Sequence, residues 1–332
     1  MTSLLDPAIL FFVFGVLAGA LRSDLEIPPA IGKFLSLYLL MALGLKGGFA
    51  LAESGLSPAM LSGLGAALFM AFLVPALGYA FLRRHVSRFD AAAVAAAYGS
   101  VSAVSFVAAT QYLENLGLVP GAHMTVAMVL METPAILMAV LLANAARQAS
   151  RAVLVVGGGQ AALSGLPAAG GAPLGGILRE SFTGGAQLLL LGSLVVGCLS
   201  GEAGKAVMQP FAGDLFKGLL AFFLLDMGLL VARNFGDARR ASPVLLAYAV
   251  LGPLVHALIA LGLARLLGMS TADTALLMVL SASASYIVVP AVLRHAVPEA
   301  SPSLYLGLSL GLTFPFNILL GIPLYTWMAG TL

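Results

Sequence analysis

Residues 91–113 read AAAVAAAYGSVSAVSFVAATQYL and residues 274–294 read TALLMVLSASASYIVVPAVLR. Each is an apolar run long enough to cross a bilayer, with serines at its middle: Ser100, Ser102 and Ser105, then Ser281, Ser283 and Ser285. Gly99 precedes the first cluster and Pro290 follows the second. Serine and glycine weaken a helix locally, and proline cannot donate a backbone hydrogen bond. The pattern predicts two helices broken at matching depth. A broken helix bares the N–H groups of its second half, which carry partial positive charge. Serine hydroxyls add donors without adding net charge, an environment suited to a small anion that must bind and leave. Taken singly, each serine is explained equally well by close helix packing; the matched pair favours a site at the membrane midplane.

The rest of the chain fits a membrane setting. Of 332 residues, 61% are hydrophobic and 9% charged, and the mean hydropathy is +1.04. A soluble domain carries about a quarter charged residues, so this chain lacks the surface for water. Apolar runs predict ten transmembrane spans near 7–22, 29–52, 57–82, 91–112, 121–146, 181–200, 207–233, 242–268, 272–294 and 303–328. Eleven arginines (Arg22, Arg83, Arg84, Arg88, Arg147, Arg151, Arg179, Arg233, Arg239, Arg240 and Arg294) fall on one side of these spans, against Lys205 and Arg265 on the other. The positive-inside rule then predicts a multi-pass membrane protein with that side cytoplasmic and both termini outside.

Residues recur at a nearly constant offset. Gly15 and Gly19 meet Gly197 and Gly201 at 182, and Lys33, Leu35, Leu40 and Gly44 meet Lys217, Leu219, Leu224 and Gly228 at 184. Asp90, Ser100 and Ser102 meet Asp273, Ser283 and Ser285 at 183. Pro134 meets Pro315 at 181, and Pro75 meets Pro253 at 178. Five spans per half is an odd number, so the halves must be inverted, as in many secondary transporters. The expected fold is all-α: ten transmembrane helices as two inverted five-helix repeats, broken in the fourth and ninth. The organisation is 1–147 for the first repeat, 148–178 for a cytoplasmic Gly/Ala-rich linker and 179–332 for the second repeat. The linker's Gly157-Gly158-Gly159 run has no P-loop lysine after it and reads as flexible chain.

Ionisable residues inside a membrane mark function by default. Asp226 in FFLLDMGLLVA and Glu132 in MVLMETPAIL are candidates for a coupling cation or proton, or for pairing with Lys46 or His256. Lys46 also reads as a side chain that snorkels to the interface. His256 reads as a packed, hydrogen-bonded histidine, and the lone Cys198 as a small buried side chain. The glycine pairs Gly15/Gly19 and Gly197/Gly201 read as helix contacts. A net charge of +2 with no basic–aromatic stretch argues against nucleic acid. No G-x-S-x-G or H-E-x-x-H motif is present, so no enzyme, resident cofactor or metal beyond Na+ is expected.

Several stretches together resemble the SbtA-type sodium-dependent bicarbonate transporters and their bacterial relatives. They are IPPAIGKFLSLYLLMALGLKGGFAL, YGSVSAVSFVAA, METPAILMA, LRESFTGGAQLLLLGSLVVG, GPLVHALIALGLA, SASASYIVVPAVLR and FPFNILLGIPLY. The resemblance covers nearly the whole chain. It implies a homotrimer that takes up bicarbonate with sodium and meets a PII-like regulatory protein at the cytoplasmic face. It implies a substrate site between the two breaks, Gly99 to Ser105 and Ser283 to Val289. Where the family carries an aspartate this chain has Tyr286, and Val104 stands for a serine. The expected function is cation-coupled (Na+ or H+) uptake of bicarbonate or a similar small inorganic anion. Gly99, Ser100, Ser102, Ser105, Ser283, Ser285 and Tyr286 would lie at the substrate, and Asp226 or Glu132 at the cation. The alternatives are a ten-helix symporter or antiporter for another solute and a membrane ligand sensor that transports nothing.

Overall fold

The computed structural model describes residues 6–54, 58–156, 185–238, 241–286, 289–290, 292–293 and 297–331. They form helices α1 (Pro7–Ala20), α2 (Pro29–Ser54), α3 (Pro58–Leu82), α4 (Arg88–Gly99), α5 (Ala103–Asn115) and α6 (His123–Val156). After residue 184 come α7 (Gly185–Met208), a π-helical stretch Gln209–Asp214, α8 (Leu215–Ala238), α9 (Pro243–Leu266) and α10 (Thr271–Ala282). The last run is α11 (Pro302–Leu308), π-helical Ser309–Thr313, Phe314–Phe316, π-helical Asn317–Gly321 and α12 (Ile322–Thr331). Among the described residues, seven helical runs are long and apolar enough to cross a membrane, and α1 and α10 are shorter apolar helices. Gly157-Gly158-Gly159 and most of the expected linker lie outside the described residues. α6 continues to Val156, ten residues past its expected end, so the first nine residues of that linker are helical. Gln148, Ala149 and Arg151 to Val156 include neither glycine nor proline, and nothing in that stretch stops the helix.

Two groups of helices are built differently. In the first, α1 crosses α8 and α2 crosses α7, with backbone against backbone. A Cβ on Gly228 would lie 3.0 Å from the Gly15 Cα and would strike the Phe12 carbonyl. A Cβ on Gly48 would lie 2.8 Å from the Gly197 Cα and 2.7 Å from the Cys198 nitrogen. Such approach suits membrane helices, whose apolar surfaces gain nothing from leaving water and associate through packing. Gly15, Gly19 and Gly197 are therefore helix contacts. Gly201 is not: open space surrounds its Cα, and its φ of 53° breaks the helical path where few residues other than glycine fit. Cys198 is half-buried rather than fully so.

The second group holds α3 to α6 and α9 to α12 around a fully buried face of α4 (Ala91 to Gly99). Prolines shape it. Pro253 in α9 leaves the Ala249 carbonyl without its helical donor, and the Thr313 hydroxyl supplies one at 2.7 Å. With that hydrogen committed, the Tyr98 hydroxyl is the donor in its 2.6 Å bond to Thr313. Each π-helical stretch lies at a proline (Pro210, Pro315 or Pro323), where the hydrogen-bond ladder must skip.

Two caps match across the chain. Ser87 accepts from the Asp90 nitrogen at 3.0 Å and donates to its carboxylate at 2.7 Å. Ser270 and Asp273 repeat this at 3.1 and 2.8 Å. The second carboxylate oxygen of each aspartate reaches across the molecule. Asp90 accepts from the Ser301 nitrogen at 2.8 Å and Asp273 from the Gly121 nitrogen at 2.7 Å. Each serine thus caps its own helix, while the aspartate holds the serine hydroxyl and takes up an N–H at the start of a distant helix.

On the same group, Arg147 forks onto Glu299 with two bonds of 2.8 Å. The guanidinium hydrogen bond holds the Glu299 carboxyl below its ordinary range, against a smaller opposing effect of burial. A carboxyl depressed on folding stabilises above its unfolded pKa, and that stability is lost as pH falls through the folded value. Wild-type protein should lose more melting temperature than Glu299→Gln between pH 7 and pH 3. The difference should be small because the pair is about a third exposed. Parallel curves in a thermal melt would show that the pair contributes nothing.

Candidate functional site

The two serine clusters are where α4–α5 and α10 break. α4 ends at Gly99, where a Cβ would lie 2.6 Å from the Pro75 ring. Ser100 and Ser102 are extended (ψ of 177° and 108°), and α5 starts at Ala103. α10 ends at Ala282, Ser283 is extended (ψ of 168°), and Val289 and Pro290 are helical again. Pro290 therefore lies past the break, in the first turn of the resumed helix, where a missing N–H costs nothing. Ile287 and Val288 lie outside the described residues.

The breaks touch. The Ser102 nitrogen donates to the Ser283 hydroxyl at 2.9 Å, and the Ser285 nitrogen donates to the Ala97 carbonyl at 2.7 Å. Stretches more than 180 residues apart in sequence share their unpaired backbone groups, in an interior where such groups must find partners. The Ser102 hydroxyl caps α5, accepting from the Ser105 nitrogen at 3.2 Å and the Ser105 hydroxyl at 3.1 Å. The Ser285 hydroxyl accepts from the Val289 nitrogen at 3.3 Å. Ser283 donates to the Leu280 carbonyl at 2.9 Å, so its hydroxyl is engaged on both sides and clasps the breaks together. The buried hydroxyls of Ser100 and Ser281 have no hydrogen-bond partner among the described residues. Buried polar groups are seldom left so.

Tyr286 closes one side. Its ring packs edge-on against Phe314 at 5.3 Å, and its hydroxyl reaches the Met227 sulfur at 3.9 Å and faces the Ser102 side chain. Asn317, fully buried, donates to the Ala282 carbonyl at 2.8 Å and accepts from the Tyr325 hydroxyl at 3.1 Å. It thereby fills an acceptor left over at the end of α10. Sequence reasoning passed over Asn317, although a lone asparagine in FPFNILLG is a polar residue inside an apolar run. The Ser-x-x-Asp spacing at 87–90 and 270–273 was likewise a readable capping signal.

The acidic candidates lie apart from this meeting point. Asp226 is half-buried on α8, and its Oδ2 would be 2.6 Å from a Cβ on Gly32, in the first turn of α2. Lys46 pairs not with Asp226 but with Glu114, at 3.3 Å, and lies over the Phe216 ring at 4.5 Å. Asp226 precedes Met227, but successive residues on a helix point about 100° apart, which turns the carboxylate away from Tyr286. Glu132 is half-buried on α6 beside Pro134. His256 is buried on α9 beside the Ser281 backbone, with its Nδ1 unpartnered among the described residues.

No curated protein matches the chain. The profile of the Na+-dependent bicarbonate transporter superfamily matches residues 7–330, nearly the whole length, and the chain belongs to that superfamily.

Proposed function

We propose that this protein is a cation-coupled secondary transporter for bicarbonate or a similar small inorganic anion, binding it where the two helix breaks meet. The observation that carries this reading is the pair of bonds from Ser102 to Ser283 and from Ser285 to Ala97. They bring the start of α5 and the serine segment after α10 to one buried point. Ser100, Ser102 and Ser285 would offer hydroxyls to the anion, and Ser105 would orient the Ser102 hydroxyl by donating to it. Gly99 would let α4 end close to α3, Ser283 would hold the breaks in register, and Tyr286 would close the site. A hydroxyl-lined site without a fixed cation can release as well as bind.

The architecture that goes with this reading is ten transmembrane helices in two inverted halves, 1–147 and 179–332, joined by the linker 148–178. Its support is threefold. The helical run Leu188–Gly236 has 49 residues, about 74 Å at 1.5 Å per residue, more than twice the bilayer core. The break at Gly201 divides it into two crossings. The contacts α1 with α8 and α2 with α7 exchange under a shift of about 183 residues, and so do the Asp90 and Asp273 caps. The arginine asymmetry supports an arrangement with both termini outside, and the family resemblance supports a bacterial cytoplasmic membrane. A homotrimer and a PII-like partner at the cytoplasmic face accompany the family resemblance.

The coupling cation is Na+ or H+, with Asp226 or Glu132 as its carboxylate, because Tyr286 occupies the position where the family aspartate was expected. The test is uptake of labelled bicarbonate into proteoliposomes under an imposed sodium or proton gradient. Accumulation with one gradient is expected, and Asp226→Asn should shift its dependence on that cation at least tenfold. No accumulation with either gradient would sink the bicarbonate reading. An unshifted dependence would remove Asp226 from coupling.

A further inference from the structure

Three polar contacts join the last turn of α5 to the glycine-packed group of α1, α2, α7 and α8. Lys46 on α2 pairs with Glu114 at 3.3 Å. Asn115 donates to Asp6, the cap of α1, at 2.8 Å, and accepts from Lys217 on α8 at 3.3 Å. Gln111, one turn earlier, bonds the same Asn115 carbonyl at 3.0 Å. Three elements of one group thus converge on two adjacent residues of the other.

The same half-helix begins at Ser102 and carries Ser105. Over its 13 residues α5 runs as one rigid rod between those serines and Glu114–Asn115. Whatever holds its far end against the first group also sets where its near end meets Ser283. The Lys46–Glu114 pair is only part-buried, with side chains 28% and 31% exposed. A pair in that position can be made and broken at modest cost. It also borders a cavity of about 200 Å³ lined by Phe49, Glu53, Lys205 and Gln209, which leaves room for the Lys46 side chain to swing.

We infer that Glu114 and Asn115 are positioning residues: they latch α5 to the first helix group and must release it when the site opens toward that end. By the arginine asymmetry that end faces outside. This inference rests on the transport reading above, since it assigns the latch a step in the transport cycle.

In proteoliposomes, Glu114→Gln with Asn115→Ala should lower the apparent KM for external bicarbonate roughly five- to tenfold, because the outward-open population rises. Lys46→Arg should keep the wild-type KM, and the swap K46E/E114K should restore it. A double variant within twofold of wild type, or a swap that restores nothing, overturns the latch. In a Cys198→Ala background, a bis-methanethiosulfonate crosslinker between K46C and E114C, joined by disulfides with release of sulfinate, should stop uptake until a reductant cleaves it. Uptake that continues with the linker in place also overturns it. If the wild type takes up no bicarbonate, the substrate assignment fails and the latch is read by hydrogen exchange of amides 103–115. Those amides should exchange at least fivefold faster in the double variant and at the wild-type rate in the swap. Unchanged exchange in the double variant would overturn the latch as well.

Discussion

Gly48→Leu is expected to yield almost no folded protein in a detergent extract, whereas Gly65→Leu is expected to be indistinguishable from wild type. The two glycines differ only in what surrounds them. A Cβ on Gly48 meets the Leu194 carbonyl, the Cys198 nitrogen and the Gly197 Cα, all backbone atoms of α7. Backbone cannot change rotamer, so α2 and α7 must separate along their whole crossing. Overpacking a core costs about 1–3 kcal/mol even where side chains can adjust, and here they cannot. A loss at or above the upper end of that range is a large share of a domain's ~5–15 kcal/mol. At Gly65 there is nothing within 4 Å. Size-exclusion chromatography with a thermal melt reads both variants. A monodisperse Gly48→Leu protein with wild-type melting would mean that the α2–α7 seam is looser than described.

The second large effect is at the breaks, where binding and architecture share the same hydroxyls. Ser102→Ala with Ser285→Ala removes two hydroxyls and leaves their backbone donors in place. Bicarbonate uptake should fall at least tenfold, and the melting temperature should fall as well, because the Ser105 and Val289 N–H groups lose their side-chain acceptors. Ser283→Ala removes the acceptor of the Ser102 N–H. A buried donor left without a partner costs about 1–3 kcal/mol, so this variant should lose uptake and stability together. Unchanged uptake in both would make the serine breaks packing features and nothing more.

Much of this was legible in the sequence because the membrane simplifies the code. Among the described residues, seven helical runs long and apolar enough to cross a membrane overlap the expected spans, and the two breaks followed from serines at matched depth. The resemblance implied a site between the breaks, and the bonds from Ser102 and Ser285 bring the breaks together. The expected ends fared worse. α6 outran its span because no residue between 147 and 156 stops a helix, and hydropathy marks where the membrane ends rather than where helices do. Gly201 matched Gly19 by offset yet does a different job, since φ is invisible in a pattern of letters. Lys46 was offered as a partner for Asp226 or Glu132, because its actual partner Glu114 lies 68 residues away. Asn317 went unread for the same reason: its value lies in a carbonyl 35 residues earlier.

The crossed caps have a consequence for how the protein is made. The Gly121 N–H finds its acceptor on Asp273, 152 residues later, and Asp90 waits 211 residues for Ser301. At about 5–20 residues per second, the ribosome needs ~8–30 s to deliver Asp273 after Gly121. During that interval the first half stands in the bilayer with α6 uncapped and the fourth helix's break unclasped. A ribosome stalled before residue 273 would therefore expose a half-protein that membrane quality control can recognise, and the finished chain would be stable only once both halves have been synthesised.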